Sequence, residues 1–174
     1  MALLNAQALA YIGRSSEFEL ACDAVEAGAV RRYAQAIMDD DPAYAPPEAG
    51  GGGLAPLLYP THLFRRAWGT PDPIQDHASD PDFDGVADGI GATASQGLPD
   101  IPQLQGLRLM NGGSEFEFFR HARFGERVKV RSSYADIVER ETSQGPIVFV
   151  TVASEFRSQE DELLLRVRTT LIRR

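Results

Sequence analysis

The chain has 174 residues, 43% of them hydrophobic, and a formal net charge of −8. This length and composition suit one globular domain with a hydrophobic core, and no apolar run approaches the ~20 residues that cross a bilayer. The negative charge argues against a nucleic-acid surface, which needs a basic patch. The single cysteine, Cys22, rules out an internal disulfide and predicts a reducing, cytoplasmic location.

The N-terminal third predicts a short strand followed by a helix. Residues 14–22 alternate in character, as in a half-buried strand. From Asp23 the spacing becomes helical, and the helix is expected to be firm from about Ala29 because Gly28 weakens its first turn. Pro42 is expected to end it, since the residue before a proline disfavours helical backbone. The apolar positions follow the pattern of one helix face: Val30, Tyr33, Ala34, Ile37 and Met38.

The stretch from Leu54 to Trp68 is strongly apolar, and we expect the rest of the chain to be organised around it. It follows a run of four glycines at positions 50–53. Proline is tolerated in the first turn of a helix but not in its middle, so a helix is expected to begin at about Pro60. Its apolar side chains form a wide face that needs burial: Leu63, Phe64 and Trp68.

Residues 69–107 form an acidic, Gly- and Pro-rich insertion. Between Ala67 and Leu107 there are seven aspartates and no lysine or arginine. The segment DPDFDGVADG lacks the ligand order and the final glutamate of a calcium-binding EF-hand loop. The insertion is therefore interpreted as a solvated loop rather than a metal site.

The C-terminal part predicts an antiparallel meander. Four segments alternate or are rich in β-branched residues, and turn residues separate them: 114–119, 126–140, 146–157 and 162–174. The order strand, helix, helix, meander indicates an α+β fold. We expect one domain over residues 1–174, a curved sheet wrapped around the central helix.

Four segments of the sequence resemble the MaoC-like dehydratases and (R)-specific enoyl-CoA hydratases, in particular the branch called the fatty-acid-synthase-1-like dehydratase domain. They are YAQAIMDDDPAY, YPTHLF, MNGGSEFEFFRHARFGERVKV and EDELLLRVRTTLIRR, in that order along the chain. The resemblance implies a hot-dog fold, in which a curved antiparallel sheet surrounds a helix. It also implies (R)-specific hydration of a 2-enoyl thioester or dehydration of the 3-hydroxy thioester, carried on coenzyme A or acyl carrier protein.

The resemblance further implies a catalytic D-x-N-P-x-H signature, in which a carboxylate and an imidazole activate water for addition to the double bond. Residues 39–44 keep Asp39 and Pro42 but have Asp41 for the asparagine and Tyr44 for the histidine. A phenol, with a pKa near ~10, is a poor base at neutral pH. Pro60 lacks the N–H that family members use to polarise the thioester carbonyl. Two of the three catalytic elements are therefore missing.

The remaining candidate residues each have a plain structural alternative. Asp39, Tyr44 and His62 are the candidate catalytic residues, or relics of them; a lone histidine such as His62 beside core residues is more often structural. His77 and His121 are expected to be exposed. Five residues are candidates for substrate binding: Tyr59, Pro60, Thr61, Asn111 and Gly112.

Two further groups of residues, a glycine run and a set of basic side chains, each have a functional and a structural interpretation. The Asn111-Gly112-Gly113 run is also interpreted as a close approach to another backbone. Four basic residues could meet a coenzyme A diphosphate, or could simply alternate along a half-exposed strand: Arg120, Arg123, Arg127 and Lys129.

The leading expectation is a non-catalytic, acyl-accommodating subunit of a heteromeric hydratase or dehydratase. The sequence ends at Arg174 without a second hot-dog repeat, so a separate MaoC-like subunit with an intact D-x-N-P-x-H signature is the expected partner. Two alternatives stay open: a self-sufficient homo-oligomeric hydratase that uses Asp39 with His62 or Tyr44, and a non-enzymatic hot-dog protein that binds acyl thioesters or lipids. No pattern indicates a cofactor or a metal, and neither nucleic acid nor a membrane is an expected partner.

Overall fold

The structure is a computed structural model that describes residues 3–64, 67, 69–70, 79–81 and 97–174. Within these residues, five antiparallel strands form one sheet, in the order β1-β3-β4-β5-β2. The strands are β1 (Glu19–Leu20), β2 (Leu109–Phe118), β3 (Val128–Thr142), β4 (Gly145–Ser158) and β5 (Leu163–Arg173). The predicted α+β class is confirmed. The predicted meander is present in β3, β4 and β5, but its first strand, β2, pairs with β5 and not with β3. Within the predicted strand at 14–22, only β1 and a single bridge between Ser15 and Ser133 are present.

Helical structure is short in the described residues. The two α-helices are α1 (Ala6–Leu9) and α2 (Ala27–Ala36), and single 3-10 turns cover Pro42–Tyr44, Pro47–Ala49, Tyr59–His62 and Pro102–Leu104. Helix α2 begins before Gly28, two residues earlier than expected, and packs Val30 and Ala34 into the core. It ends well before Pro42, so the proline does not terminate it.

The stretch around Pro60 is buried as predicted, but it does not begin a long helix. Its backbone bonds are of the i→i−3 type: the N–H of Thr61 donates to Leu58 at 3.1 Å and that of Leu63 to Pro60 at 3.4 Å. The result is the single 3-10 turn Tyr59–His62, and Phe64 lies outside any helix. Because prolines 56 and 60 lack N–H donors, they favour such tight turns over a regular α-helix. Trp68 lies outside the described residues.

Two hydrophobic clusters cover one face of the sheet. The first joins Tyr59 and Leu63 to Val130 and Phe156, so the apolar stretch does lie against the sheet. The second contains Tyr134, Val148 and Val150. A bulge between Tyr134 and Asp136 changes the alternation of β3 and returns Ile137 to the buried face.

The C-terminal end of the predicted insertion belongs to the second cluster. Leu98, Ile101 and Leu104 are buried beside Ala8. The hydroxyl of Tyr134 donates to the carbonyl of Pro99 at 3.0 Å. This part of the 69–107 segment is therefore packed against the sheet and is not a solvated loop. His77 and most of the aspartates lie outside the described residues.

Candidate functional site

The loop that carries the altered signature leaves α2 through a Schellman turn. The N–H of Asp39 donates to Ala34 at 3.0 Å and the N–H of Met38 to Gln35 at 3.2 Å. Met38 has φ +58, the left-handed conformation that glycine normally supplies at this position. Its side chain is 92% exposed, and that of Ile37 is 47% exposed. The predicted continuation of the apolar helix face to Ile37 and Met38 is wrong, because α2 ends at Ala36.

Asp39 and Tyr44 are brought together by the turn that follows. Asp41 caps the 3-10 turn Pro42–Tyr44, its carboxylate accepting from the N–H of Ala43 at 2.8 Å. This turn folds Tyr44 back, and its hydroxyl donates to Oδ2 of Asp39 at 3.2 Å. The two signature positions thus form a side-chain pair, although one of them carries a phenol.

The environment of Tyr44 makes it a weaker acid than a free tyrosine. Burial raises its pKa above the usual value of 10.0, and the hydrogen bond to Asp39 and the nearby carboxylate charges raise it further. A phenolate beside these carboxylates is disfavoured, because it adds a like charge. Tyr44 is therefore a neutral hydroxyl at physiological pH, not a base.

A cleft of about 670 Å³ lies between α2 and the loop 39–46. The α2 wall is one helix face, continued at Met38 beyond the helix end. Most of the lining is apolar; its charged and polar groups are Arg31, Gln35, Tyr44 and the three aspartates. The lining residues are Ala27, Gly28, Arg31, Ala34, Gln35, Met38, Asp39, Asp40, Asp41, Pro42, Tyr44, Ala45 and Pro46.

His62 lies in a different group of side chains. Its exposed ring is 5.3 Å from that of Tyr33 and 6.3 Å from that of Tyr59, measured between centroids. Among the described residues, His62 is absent from the lining of the cleft that holds Asp39 and Tyr44. The structure therefore pairs Asp39 with Tyr44 and places His62 with other aromatic rings.

The three substrate-binding candidates near Pro60 have structural contacts. Tyr59 is 2% exposed, its ring is 5.3 Å from that of Tyr33, and burial raises its pKa. Pro60 is fully buried. Thr61 is exposed, and its hydroxyl donates to the carbonyl of Leu58 at 2.8 Å. Tyr59 and Pro60 are therefore core residues, and the Thr61 side chain stabilises the turn in which it lies.

Asn111 and Gly112 lie on the edge strand β2, at a bulge opposite β5. The side-chain oxygen of Asn111 accepts from the N–H of Gly113 at 2.8 Å. A Cβ at position 112 would lie 2.9 Å from the carbonyl oxygen of Thr170 and 3.1 Å from Ile172. The close approach to another backbone that the glycine run predicts is confirmed at Gly112.

Three of the four basic side chains considered for a diphosphate have polar contacts within the chain. Arg120 pairs with Glu126 at 3.0 Å and contacts Glu162, and Lys129 pairs with Asp161 at 2.7 Å. Arg127 donates to the carbonyl oxygens of Ala21 and Cys22. These contacts favour the structural interpretation of the alternating charges.

The prediction for one residue near the site, His121, is wrong, and a second residue, Arg31, escaped sequence reasoning. His121 is half-buried, not exposed: its Nδ1 lies 2.8 Å from the carbonyl oxygen of Ala55, and its ring is 6.3 Å from that of Tyr44. Arg31 lines the cleft eight residues before Asp39. The spacing of Ala27, Arg31 and Ala34 was the available signal for a shared helix face.

No metal or membrane feature emerges from the part of the chain that the structure describes. Within it, no group of three or more His, Cys, Asp and Glu side chains is placed to hold a metal ion. Nor does any helix there have the length and apolar character needed to span a membrane.

A curved antiparallel sheet with a few short helices is the hot-dog fold, and solved structures share it. The ChsH1-ChsH2 complex from Mycobacterium tuberculosis matches with a TM-score of 0.66 at 20% identity, covering 96% of this chain and 86% of that one. The HadBC (3R-hydroxyacyl-ACP dehydratase) complex from the same organism gives 0.55 at 18% identity, covering 90% and 95%. A MaoC-like dehydratase from Rhodospirillum rubrum gives 0.53 at 18% identity, covering 94% and 93%.

The family assignment rests on the sequence itself. Residues 10–167 match the family described as the FAS1-like, dehydratase domain region. The chain belongs to this family, and the predicted resemblance to the MaoC-like hot-dog dehydratases is confirmed. A comparison with curated proteins finds no match.

Proposed function

We propose that the chain is a non-catalytic, acyl-accommodating subunit of a heteromeric (R)-specific 2-enoyl-thioester hydratase or 3-hydroxyacyl-thioester dehydratase. The observation that carries the proposal is the Asp39–Tyr44 pair. Tyr44 occupies the histidine position of the signature and donates to Asp39 at 3.2 Å. Its pKa is raised by burial and by Asp39, so the pair has no imidazole to exchange protons with a substrate near neutral pH.

The proposed partner is a separate MaoC-like subunit with an intact D-x-N-P-x-H signature, which would supply the carboxylate and the imidazole. The structures from Mycobacterium tuberculosis support a heteromer, since both are described as complexes of two differently named chains. The proposed substrate is an acyl group on coenzyme A or acyl carrier protein. The apolar cleft beside Asp39 is the acyl-accommodating feature of this chain.

A self-sufficient hydratase is the second candidate, and the contact between Asp39 and Tyr44 favours one version of it. The structure pairs Asp39 with Tyr44 and not with His62. In this version Tyr44 would act as a hydroxyl that orients water rather than as a base. It predicts hydration by the purified chain alone.

The deciding experiment measures hydration of crotonyl-CoA and a long-chain enoyl-CoA by the purified chain, then by the chain co-expressed with a MaoC-like protein encoded beside it. Activity only in the pair is expected. Replacing the partner's signature histidine should abolish that activity, whereas Asp39→Asn in this chain should retain most of it. Activity of the chain alone, lost in Asp39→Asn, would overturn the proposal. Thioester binding without activity in the pair would favour a non-enzymatic binding protein.

A further inference from the structure

The face of the sheet opposite the two hydrophobic clusters, called the outer face below, carries a groove of about 570 Å³. Ser132, Ser154 and Val167 are buried on the core side, and Phe116 pairs with Val167. Because side chains alternate along a strand, the residues on either side of these four point to the outer face. All eight line the groove: Glu115, Glu117, Arg131, Ser133, Ala153, Glu155, Arg166 and Arg168.

Strand pairing arranges these eight side chains in two rows across the sheet, from β3 through β4 and β5 to β2. The first, the charged row, alternates in sign: Arg131, Glu155, Arg166 and Glu117. The second, the mixed row, begins with two small side chains and ends with two long ones: Ser133, Ala153, Arg168 and Glu115. Neighbouring strands are about 4.8 Å apart, so each row is about 14 Å long.

The charges of the two rows are only partly neutralised within the chain. Arg166 lies 3.1 Å from Glu155 and 3.4 Å from Glu117. The side chains of Arg166 and Glu117 are nevertheless 46% and 61% exposed. Among the described residues, Arg131 and Arg168 form no ion pair. The outer face therefore has charge available for a second surface.

The charged row is complementary to a second copy of itself. A two-fold axis parallel to the strands, between two stacked sheets, places β3 of one copy over β2 of the other and β4 over β5. Because the signs alternate over four strands, every charge then faces an opposite charge. Arg131 faces Glu117 of the second copy, and Glu155 faces Arg166 of the second copy. Complementary charges of this kind fix the register of an interface.

The mixed row is complementary in size under the same operation. The long side chain of Arg168 faces Ala153 of the second copy, where the short side chain leaves room for it. Ser133 faces Glu115 of the second copy, and a serine hydroxyl can donate to a carboxylate. Close packing of two surfaces needs such pairing of large with small side chains.

Other stacking geometries lack this match. A two-fold axis parallel to the rows would place each side chain over its own copy, with Arg131 facing Arg131 and Glu117 facing Glu117. Like charges in contact oppose association. The order of the charges along the row thus selects one symmetric arrangement, in which the same surface patch is used by both copies.

We propose that the chain self-associates through its outer face, forming a two-fold symmetric, back-to-back dimer in which β3 of each copy lies over β2 of the other. The occupant of the groove is a second copy of this chain. Helix α2 packs on the core side through Val30, so this dimer leaves the α2 cleft open. The inference goes beyond the proposed function and does not depend on it.

Sedimentation velocity of the purified chain over a range of concentrations tests the proposal. We expect a reversible dimer that is weakened several-fold between about 50 mM and about 500 mM NaCl, because salt screens charges at the rim of an interface. Arg131→Glu and Glu117→Arg should each raise the dissociation constant at least about tenfold, since symmetry introduces each like-charge contact twice.

Mixing the two charge reversals tests the geometry directly. In an equimolar mixture of the Arg131→Glu and Glu117→Arg chains, both contacts of a mixed dimer join opposite charges, so association should return to nearly the wild-type strength. The matched controls are Arg32→Glu and Glu48→Arg, which reverse exposed charges outside the groove and should associate like the wild type.

A steric variant tests the mixed row without changing a charge. Ala153→Phe fills the space assigned to Arg168 of the second copy and should raise the dissociation constant at least about tenfold, while an aromatic residue suits a strand. Far-UV circular dichroism and thermal unfolding verify that each variant is folded.

The proposal is overturned if the wild-type chain is monomeric, if either charge reversal or Ala153→Phe associates like the wild type, or if the mixture fails to restore the dimer. A dimer that survives all three substitutions would place self-association on another surface, which also overturns it. The activity of the heteromeric pair is measured separately, so failure of this interface is distinguishable from failure of the proposed function.

Discussion

The hydroxyl of Tyr44 donates a hydrogen bond to Oδ2 of Asp39, five residues earlier in the chain and 3.2 Å away. Burial raises the pKa of Tyr44, and Asp39 raises it further. The raised pKa means that any stability from this neutral phenol is present below pH ~10 and is lost as the pH rises through the folded-state value.

We therefore predict that Asp39→Asn lowers the pKa of Tyr44 toward, but not fully to, that of a free tyrosine, because burial remains. Tyrosinate absorbance followed between pH 8 and 12 measures the change. Tyr44→Phe identifies the transition, which should disappear in that variant. An unchanged titration in Asp39→Asn would show that the carboxylate does not influence the phenol.

Met38 provides a test of backbone strain. Met38→Gly should raise the free energy of unfolding by up to about 1 kcal/mol, because it relieves the left-handed strain at φ +58, partly offset by the greater entropy of glycine in the unfolded chain. Little burial is lost, since the side chain is 92% exposed. Urea denaturation is the measurement, and Met38→Ala, which removes the side chain but keeps the strain, should show no gain.

The carboxylate of Glu155 is expected to make the stability of the folded protein depend on pH. Burial alone would raise its pKa, but hydrogen bonds and charges from Arg157 and Arg166 outweigh burial and lower it below the usual 4.5. The stabilisation is therefore present above pH ~4.5 and lost as the pH falls through the lower folded-state value. Glu155→Gln should destabilise the protein at pH 7 by up to about 1 kcal/mol, the range for partly exposed ion pairs.

Thermal unfolding at pH 7, 5 and 3.5 measures this dependence. The difference between Glu155→Gln and the wild type should shrink at the lowest pH. The exposed Glu48 is the matched control, and Glu48→Gln should have little effect at any of these values. A difference that stays constant with pH would argue against the ion pairs as its cause.

Truncation of Phe156 to alanine should lower the free energy of unfolding more than truncation of Phe119. It is 2% exposed, and its ring is 5.7 Å from that of Phe64. Phe156→Ala is expected to cost about 3–5 kcal/mol, from lost burial and the cavity left behind. Phe119 is 45% exposed with the guanidinium of Arg166 over its ring, so Phe119→Ala should cost less than about 1 kcal/mol. Equal losses in urea denaturation would contradict the assigned core.

Replacing two glycines, one at a time, by alanine should change the stability of the protein in opposite directions. Gly112→Ala should destabilise the protein by about 1–3 kcal/mol, because the new Cβ meets the carbonyl oxygen of Thr170 at 2.9 Å. Gly28→Ala has room beside Arg32 and should stabilise α2 by roughly 0.5–1 kcal/mol. Thermal unfolding of both variants measures the effect, and a stabilised Gly112→Ala would exclude the close approach at the bulge.

The sequence by itself determined the sheet and the missing histidine. Strands β3, β4 and β5 were predictable because an alternation of period 2 is a local property that survives folding. The replacement of histidine by Tyr44 was likewise readable, since it depends only on the identity of a residue at a fixed spacing from Asp39.

The tertiary structure decided how the altered signature is used. Helix α2 ends at Ala36 because a Schellman turn forms with Met38 in the left-handed region, and methionine carries no local signal for that conformation. The 3-10 turn Pro42–Tyr44 that follows joins Tyr44 to Asp39, and the loop 39–46 borders the cleft that Arg31 lines. Leu98 reaches the core for a similar reason: its burial depends on a partner, Ala8, that is ninety residues away in the chain. A contact between residues so distant in the chain is not encoded by any local pattern.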